Sequence, residues 1–312
     1  MKNRYKKITF EDENGIIFEL DEPKGMTFEA SDEKKGELII RTLNIKKNND
    51  YSEKYANPPI PDGYKHVEGE WSSGYVIERV SDGSQFVWIP VGYLDSDGTL
   101  NGVSFDEKFG RRNYMLDNFA MDSFNEMMDK KMYQEYESVK KNQGFYISRF
   151  NISKTSEGKP QSVKGAIPWV NINFYDAQKV ASSIEQNENV NSHLTYGAEY
   201  DSVLAWFIKS KAKTLAEIAE DSTEWGNYWN ARNSKIAILE TGSDENWRVN
   251  NIYDLAGNVG EWTQEKYASL YRIIRGGYFY NFGENFPVAF RRYSNPKNKY
   301  DFVGFRATLY IK

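Results

Sequence analysis

After Lys209 the chain carries Gly, Asn and aromatic residues at close intervals and keeps no helical period. A strand-like run over residues 306–311 closes it. A tail of this kind has no regular apolar face of its own, so it must be laid over a scaffold built earlier in the chain. With Cys 0, no disulfide holds it there, and the core must come from the Tyr 22, Phe 18 and Trp 8 of the 312 residues. A chain of this length buries a substantial core without a staple.

The scaffold is legible upstream. Ile8 and Phe10, the Asn14-Gly15 turn signal, and Ile16, Phe18 and Leu20 predict a β-hairpin. A second alternating run, Ile39, Arg41, Leu43 and Ile45, completes a small β module over residues 1–50. Residues 51–63 include Asn57 and Pro58, Pro59 and Pro61, favour extended backbone and read as a linker to a larger domain over 64–312. Strands are expected at 75–77 and 86–91 around the Ser81-Asp82-Gly83 turn. Phe124, Met128, Met132, Tyr136 and Val139 recur at helical spacing and predict an amphipathic helix over 122–141, its methionines in the core. Two more helices are expected over 174–184 and 197–209. Helices in the middle followed by an irregular tail give an α+β order rather than βαβ alternation. The Gly pair at 276–277 has no phosphate-loop context.

Composition narrows the function classes. Lys+Arg 40 and Asp+Glu 45 are interleaved, for a net charge of -5, so no basic face offers itself to nucleic acid. No stretch approaches a membrane span, and the basic start at Lys2, Arg4, Lys6 and Lys7 has no apolar run behind it, which predicts cytoplasmic synthesis without a signal peptide. Zero cysteines rule out thiolate metal sites and thiol nucleophiles; only His66 and His193 carry imidazoles. Catalysis, if present, rests on carboxylates, Tyr, Lys or Ser.

The sequence YDLAGNVGEWT at 253–263, RGG at 275–277 and GFR at 304–306 stand in the order of the signature of the formylglycine-generating enzyme (sulfatase-modifying factor) family, which this chain resembles. Upstream, FVWIP at 86–90 and GFYISRF at 144–150 are similar to the family's early strands. Pro168, Val170 and the FYDA of 174–177 resemble its P-V-x-x-V-x-W-x-D-A helix start, and LTYGAEY at 194–200 its R-L-P-T-E-A-E-W motif. The resemblance implies a C-type-lectin-like α+β domain from about Trp71 onward, preceded by the small N-terminal β module.

The resemblance also implies a calcium site in the first block, with Asp254 and Glu261 as side-chain ligands and Gly257 and Val259 as carbonyl ligands; hard cations take several oxygens. The same block also reads as a buried aromatic corner with no ion. Gly260 stands where the family has an aromatic residue. A second family calcium site falls near residues 227–230, where the match is too loose to assign ligands.

Enzymatic members of the family use two cysteines that bind copper. Their places fall near Asn281 and Phe286, so no copper site of that kind is expected. His193, standing where the family has Arg, reads as a residue packed against a scaffold helix. The resemblance then implies a non-catalytic ligand-binding protein, whose exposed face is expected at Tyr278, Tyr280, Asn281, Arg292, Tyr293 and Asn298, with Phe279, Phe290 and Phe305 in the core. By analogy with the lectin-fold variable proteins diversified by phage and bacterial retroelements, the expected partner is a protein or cell-surface ligand, with display from a phage tail or surface scaffold through the N-terminal module, virion-associated in the phage case. The alternative is an enzyme on the same scaffold, of the formylglycine-generating type or working through carboxylates.

Overall fold

The computed structural model describes residues 7–12, 15–21, 58–71, 73–91, 124–125, 135, 137–139, 141–232, 234–268 and 270–312. The chain divides into two compact units, residues 1–57 and 58–312. In the first, β1 (Lys7–Asp12) pairs antiparallel with β2 (Gly15–Asp21), Ile8 opposite Leu20 and Phe10 opposite Phe18. This is the predicted hairpin; the 39–45 run lies outside the described residues.

The larger unit is organised by a six-stranded antiparallel sheet. Its members are β3 (Tyr64–Glu68), β4 (Val76–Arg79), β5 (Gln85–Pro90), β7 (Gly144–Ser148), β10 (Val190–Leu194) and β17 (Ala307–Ile311), in the order β10-β17-β7-β5-β4-β3. Its central strands are buried on both faces, so strict alternation sorts their side chains into two cores. Val87 and Ile89 of β5 with Phe145 and Ile147 of β7 join Val203, Leu204 and Phe207 of the helix Gly197–Lys209. Phe86 and Trp88 with Tyr146 join Phe174, Ala177 and Ala181 of the helix Phe174–Ser182. We label these helices α1 (Phe174–Ser182) and α2 (Gly197–Lys209); α3 (Leu215–Ala219) follows. The Asn173 side chain caps α1 by accepting from the Asp176 N–H at 2.9 Å.

The tail is less irregular than its sequence reads. Strands β13 (Gly260–Tyr267), β14 (Tyr271–Arg275), β15 (Arg292–Ser294) and β16 (Val303–Phe305) form a second sheet in the order β15-β14-β13-β16, with β6 (Phe124–Asn125) on β13. Short pairs, β8 (Ser153–Lys154) with β9 (Pro160–Gln161) and β11 (Arg248–Val249) with β12 (Ile252–Tyr253), tie the loops. The helix expected over 122–141 is corrected at its start, where Phe124 and Asn125 are strand. Residues 135, 137–139 and 141–142 are helical, and the rest of that span lies outside the described residues. Met-rich amphipathic spacing does not reveal that the segment first supplies a strand edge, because the pairing partner Tyr267 is distant in sequence.

The break between units falls inside the Pro-rich stretch. Pro58 and Pro61 are buried, and the Pro59 carbonyl accepts from the Tyr146 hydroxyl at 3.1 Å. A chain of residues 58–312 is therefore expected to fold alone, with a near-UV circular dichroism spectrum and melting temperature matching the full chain; a molten 58–312 product would refute this division.

Candidate functional site

The three family-like motifs meet in the interior. Arg306, fully buried at the end of the last motif, donates from Nε to Glu261 Oε1 at 2.7 Å. Its Nη1 reaches the carbonyls of Ser148 and Arg149 at 3.0 and 3.1 Å, and its Nη2 reaches the Tyr253 carbonyl. Glu261 Oε1 also accepts from Asn151 Nδ2 at 2.7 Å. Burial pushes the Glu261 carboxyl up, against the pull of Arg306 and Asn151. Asp254, in the left-handed region at φ 55, accepts from the Gly242 N–H at 2.8 Å through Oδ2, and burial raises its pKa to about 6.

Glycine is required here. At Gly257, with φ +70, a Cβ would lie 2.5 Å from the Asn227 carbonyl oxygen. At Gly260 a Cβ would lie 2.8 Å from Ile274 Cγ2, so Ile274 packs directly on the backbone there. Val259 is buried between them. Two anionic oxygens, Asp254 Oδ1 and Glu261 Oε2, are buried without a hydrogen-bond donor. In donor chemistry they fit a hard cation. Asn227 Oδ1 is likewise without a donor, while its Nδ2 donates to Asn258 Oδ1 at 3.0 Å.

A second ionic assembly sits under the tail. Arg275 of the RGG motif contacts Asp201 of α2 at 2.8 Å and Glu265 of β13 at 3.4 Å; Arg291 contacts the same two carboxylates at 2.5 and 2.9 Å. All four side chains are 0% exposed, forming a closed ring of two cations and two anions.

The expected binding face divides when mapped onto the structure. Tyr280 is 55% exposed and stacks on Trp229, which is 41% exposed, with centroids 5.7 Å apart; Phe282 stands exposed beside Tyr280 in sequence. Tyr278 stacks on Phe302 at 4.2 Å and accepts from Arg292 Nη1 at 2.8 Å. Asn298, exposed, donates to the Tyr300 hydroxyl at 2.9 Å. Tyr293, exposed, stacks on Tyr267 at 4.8 Å. Asn281 is corrected: it is 6% exposed, because its Oδ1 accepts from the Tyr278 N–H and its own N–H bonds the Tyr278 carbonyl, closing a turn. Phe279 and Phe305 are core as expected. Phe290 is half-buried instead, in a T-shaped pair with Phe286 at 4.9 Å. Trp229 has no signal in the sequence beyond an aromatic beside Asn, because the stacking that makes it part of the face joins positions far apart in the chain.

His193 lies on β10 against the first turn of α2, as read from the sequence, and its Nε2 is 2.9 Å from Glu199 Oε1. It is not isolated, because Glu135 Oε1 lies 3.2 Å away. His66 Nε2 bonds carbonyls of Glu68 and Gly69 in an exposed strand.

Residues 76–310 match the sulfatase-modifying factor enzyme 1-like domain family. Among solved structures, the chain is similar to CarF (16% identity, 55% of this chain and 87% of that one, TM-score 0.42). It is similar to PvdO from Pseudomonas aeruginosa (14% identity, 76% and 98%, TM-score 0.44). Variable protein 1 of Treponema denticola gives 13% identity, 80% and 99% coverage, and a TM-score of 0.42. No curated protein matches the sequence.

The ring makes one quantitative prediction. Arg291→Met leaves two buried carboxylates with one guanidinium and is expected to lower urea-unfolding stability by about 3–5 kcal/mol. Asn298→Ala on the exposed face is expected to change it by less than about 0.5 kcal/mol. Equal effects would show that the ring is not structural.

Proposed function

We propose that this chain, which belongs to the sulfatase-modifying factor enzyme 1-like family and has its C-type-lectin-like α+β fold, is a ligand-binding member without copper–thiol chemistry. The observation that carries this reading is the stacked, exposed Trp229–Tyr280 platform, with Phe282 also exposed. Tyr280 and Phe282 flank Asn281, one of the two places where the family's thiols fall, and the sequence has Cys 0. Asn281, at one of those positions, closes a buried turn, and Phe286, at the other, packs on Phe290. Neither side chain can ligate Cu(I) or attack as a thiolate.

Rigid stacked rings present apolar area with little conformational entropy to lose, while polar neighbours fix orientation. Asn230 Nδ2 donates to Glu284 Oε2 at 2.6 Å, and Asn230 Oδ1 accepts from the Gly283 N–H at 3.2 Å, so the loop carrying Tyr280 and Phe282 is held to the loop carrying Trp229. The ligand class that suits this surface is a protein or a cell-surface group, with this chain displayed from a phage tail or a surface scaffold through its N-terminal module. Tyr278, Arg292, Tyr293 and Asn298 extend the surface, and Asn281 supports it from beneath.

Within the same reading, Asp254 and Glu261 are side-chain calcium ligands, with the carbonyls of Gly257 and Val259. The two buried oxygens without donors support this. Calcium there would supply only stability, neutralising the carboxylate charge that Arg306 leaves over.

Two measurements test the reading. Fluorescently labelled protein, screened on a panel of bacterial cells, is expected to stain at least one strain, and Trp229→Ala with Tyr280→Ala to cut that staining at least roughly tenfold. Turnover of a cysteine-containing sulfatase-type peptide with copper and oxygen would overturn the non-catalytic reading. For calcium, chelation is expected to lower the melting temperature, the stabilisation at a hundredfold excess over Kd being about 2.7 kcal/mol. In Glu261→Gln that calcium dependence is expected to vanish, whereas a purely ionic Arg306–Glu261 role would give wild type and variant the same insensitivity to calcium.

A further inference from the structure

We propose that Glu135, His193 and Glu199 form a site for a divalent first-row transition-metal ion, with open coordination positions toward the adjoining pocket. The three come from separate places: Glu135 from the helical segment before β7, His193 from β10 and Glu199 from the first turn of α2. Their donor atoms lie within 4.8 Å of one another, and they are the one such cluster of three His or carboxylate ligands among the described residues. None shares a residue with the Asp254–Glu261 block, and the inference is independent of the ligand-binding reading.

Both distances from the imidazole nitrogen are compatible with a coordination shell. Metal–nitrogen and metal–oxygen bonds of about 2.0–2.2 Å place neighbouring donors roughly 2.9–3.5 Å apart in octahedral or tetrahedral geometry. His193 Nε2 is 2.9 Å from Glu199 Oε1 and 3.2 Å from Glu135 Oε1. One imidazole nitrogen carries at most one hydrogen, and Glu199 is the nearer acceptor. Glu135 is 1% exposed and shares His193 Nε2 with Glu199, which lies nearer to it, so two buried carboxyls compete for one ring hydrogen. A cation between the three groups would satisfy both.

The surroundings are built like those of a metal ligand set. Glu199 is fixed through its other oxygen, which accepts from the Tyr196 N–H at 2.7 Å and from Thr308 Oγ1 at 2.9 Å. The His193 ring is flanked by Tyr196 at 4.9 Å and Tyr310 at 5.7 Å. Glu135 and His193 line a pocket of about 290 Å³ whose other walls include Gln178, Asn191, Ser192 and Gln264. Three protein ligands beside a polar pocket leave positions for water or a small anion. One imidazole with two carboxylates suits Zn²⁺ or Mn²⁺; Ca²⁺ prefers an all-oxygen set.

The test uses the full chain after EDTA treatment and dialysis, titrated calorimetrically with Zn²⁺ and with Mn²⁺. With excess Ca²⁺ present to fill the Asp254–Glu261 block, saturable binding of one equivalent is expected, weakened at least roughly tenfold in Glu135→Gln and unchanged in Glu157→Gln, an exposed carboxylate. Glu135→Gln keeps the side-chain volume, and circular dichroism checks that it folds. A second readout needs no variant at the site: in His66→Ala the one remaining imidazole is His193, and bound Mn²⁺ is expected to show an imidazole ¹⁴N coupling by electron spin echo. Absence of saturable binding by the wild type, equal affinity in Glu135→Gln, or no nitrogen coupling would each overturn the site.

Discussion

The ring of Asp201, Glu265, Arg275 and Arg291 is the interaction on which the tail depends. A loop-rich segment without disulfides needs some contact that is both interior and specific, and apolar packing alone is tolerant of register. The ring joins the middle of α2, β13, the end of β14 and the residue that precedes β15, so a shift in any of these would leave a charge buried without its counterpart. Such a penalty makes alternatives costly rather than the native state cheap, since desolvating four charges consumes most of what their attraction returns. The ring is therefore better understood as fixing one arrangement of the aromatic tail than as a source of stability.

The same logic runs through Arg306. Its guanidinium meets Glu261, two carbonyls at the end of β7 and the Tyr253 carbonyl, so the last motif in the sequence fastens the first sheet to the block at 253–263. Trp262 adds a bond from its indole N–H to the Ile172 carbonyl at 3.0 Å. The motifs by which the family is recognised are thus mostly scaffold here. The family-like residues hold the frame, while the exposed rings at Trp229, Tyr280 and Phe282 lie outside the three motifs.

This division explains what was legible in the sequence. The helix at 197–209 and the strand at 86–90 show in the residue pattern because one packs an apolar face on the sheet and the other is covered on both faces, whereas 144–148 is legible only through its resemblance to a family strand. The tail's strands β13 to β16 did not show, because they are short and bounded by turns, and β13 pairs in parallel with β16 some forty residues on. Asn281 looked like a surface amide because Asn on a loop usually is one; here the amide completes a turn that brings Tyr280 outward. Phe124 and Asn125 read as helix because local spacing dominates any single-sequence reading and the strand partner lies outside the window.

His193 shows most clearly why a site is harder to read than a fold. In the sequence it is one of two histidines, placed where the family has Arg, and a residue of that kind usually packs against a helix start. It does so, and Glu199 is its local partner, within the reach of one helical turn. Glu135 is not local: it arrives from a segment whose helical character is evident but whose facing side is not, and its arrival puts two carboxylate oxygens, instead of one, around a single ring nitrogen. Where the family's Arg would supply a permanent positive charge to these carboxylates, imidazole supplies one only on protonation. The substitution turns a position suited to a fixed ion pair into one whose charge balance requires a proton or a cation from outside.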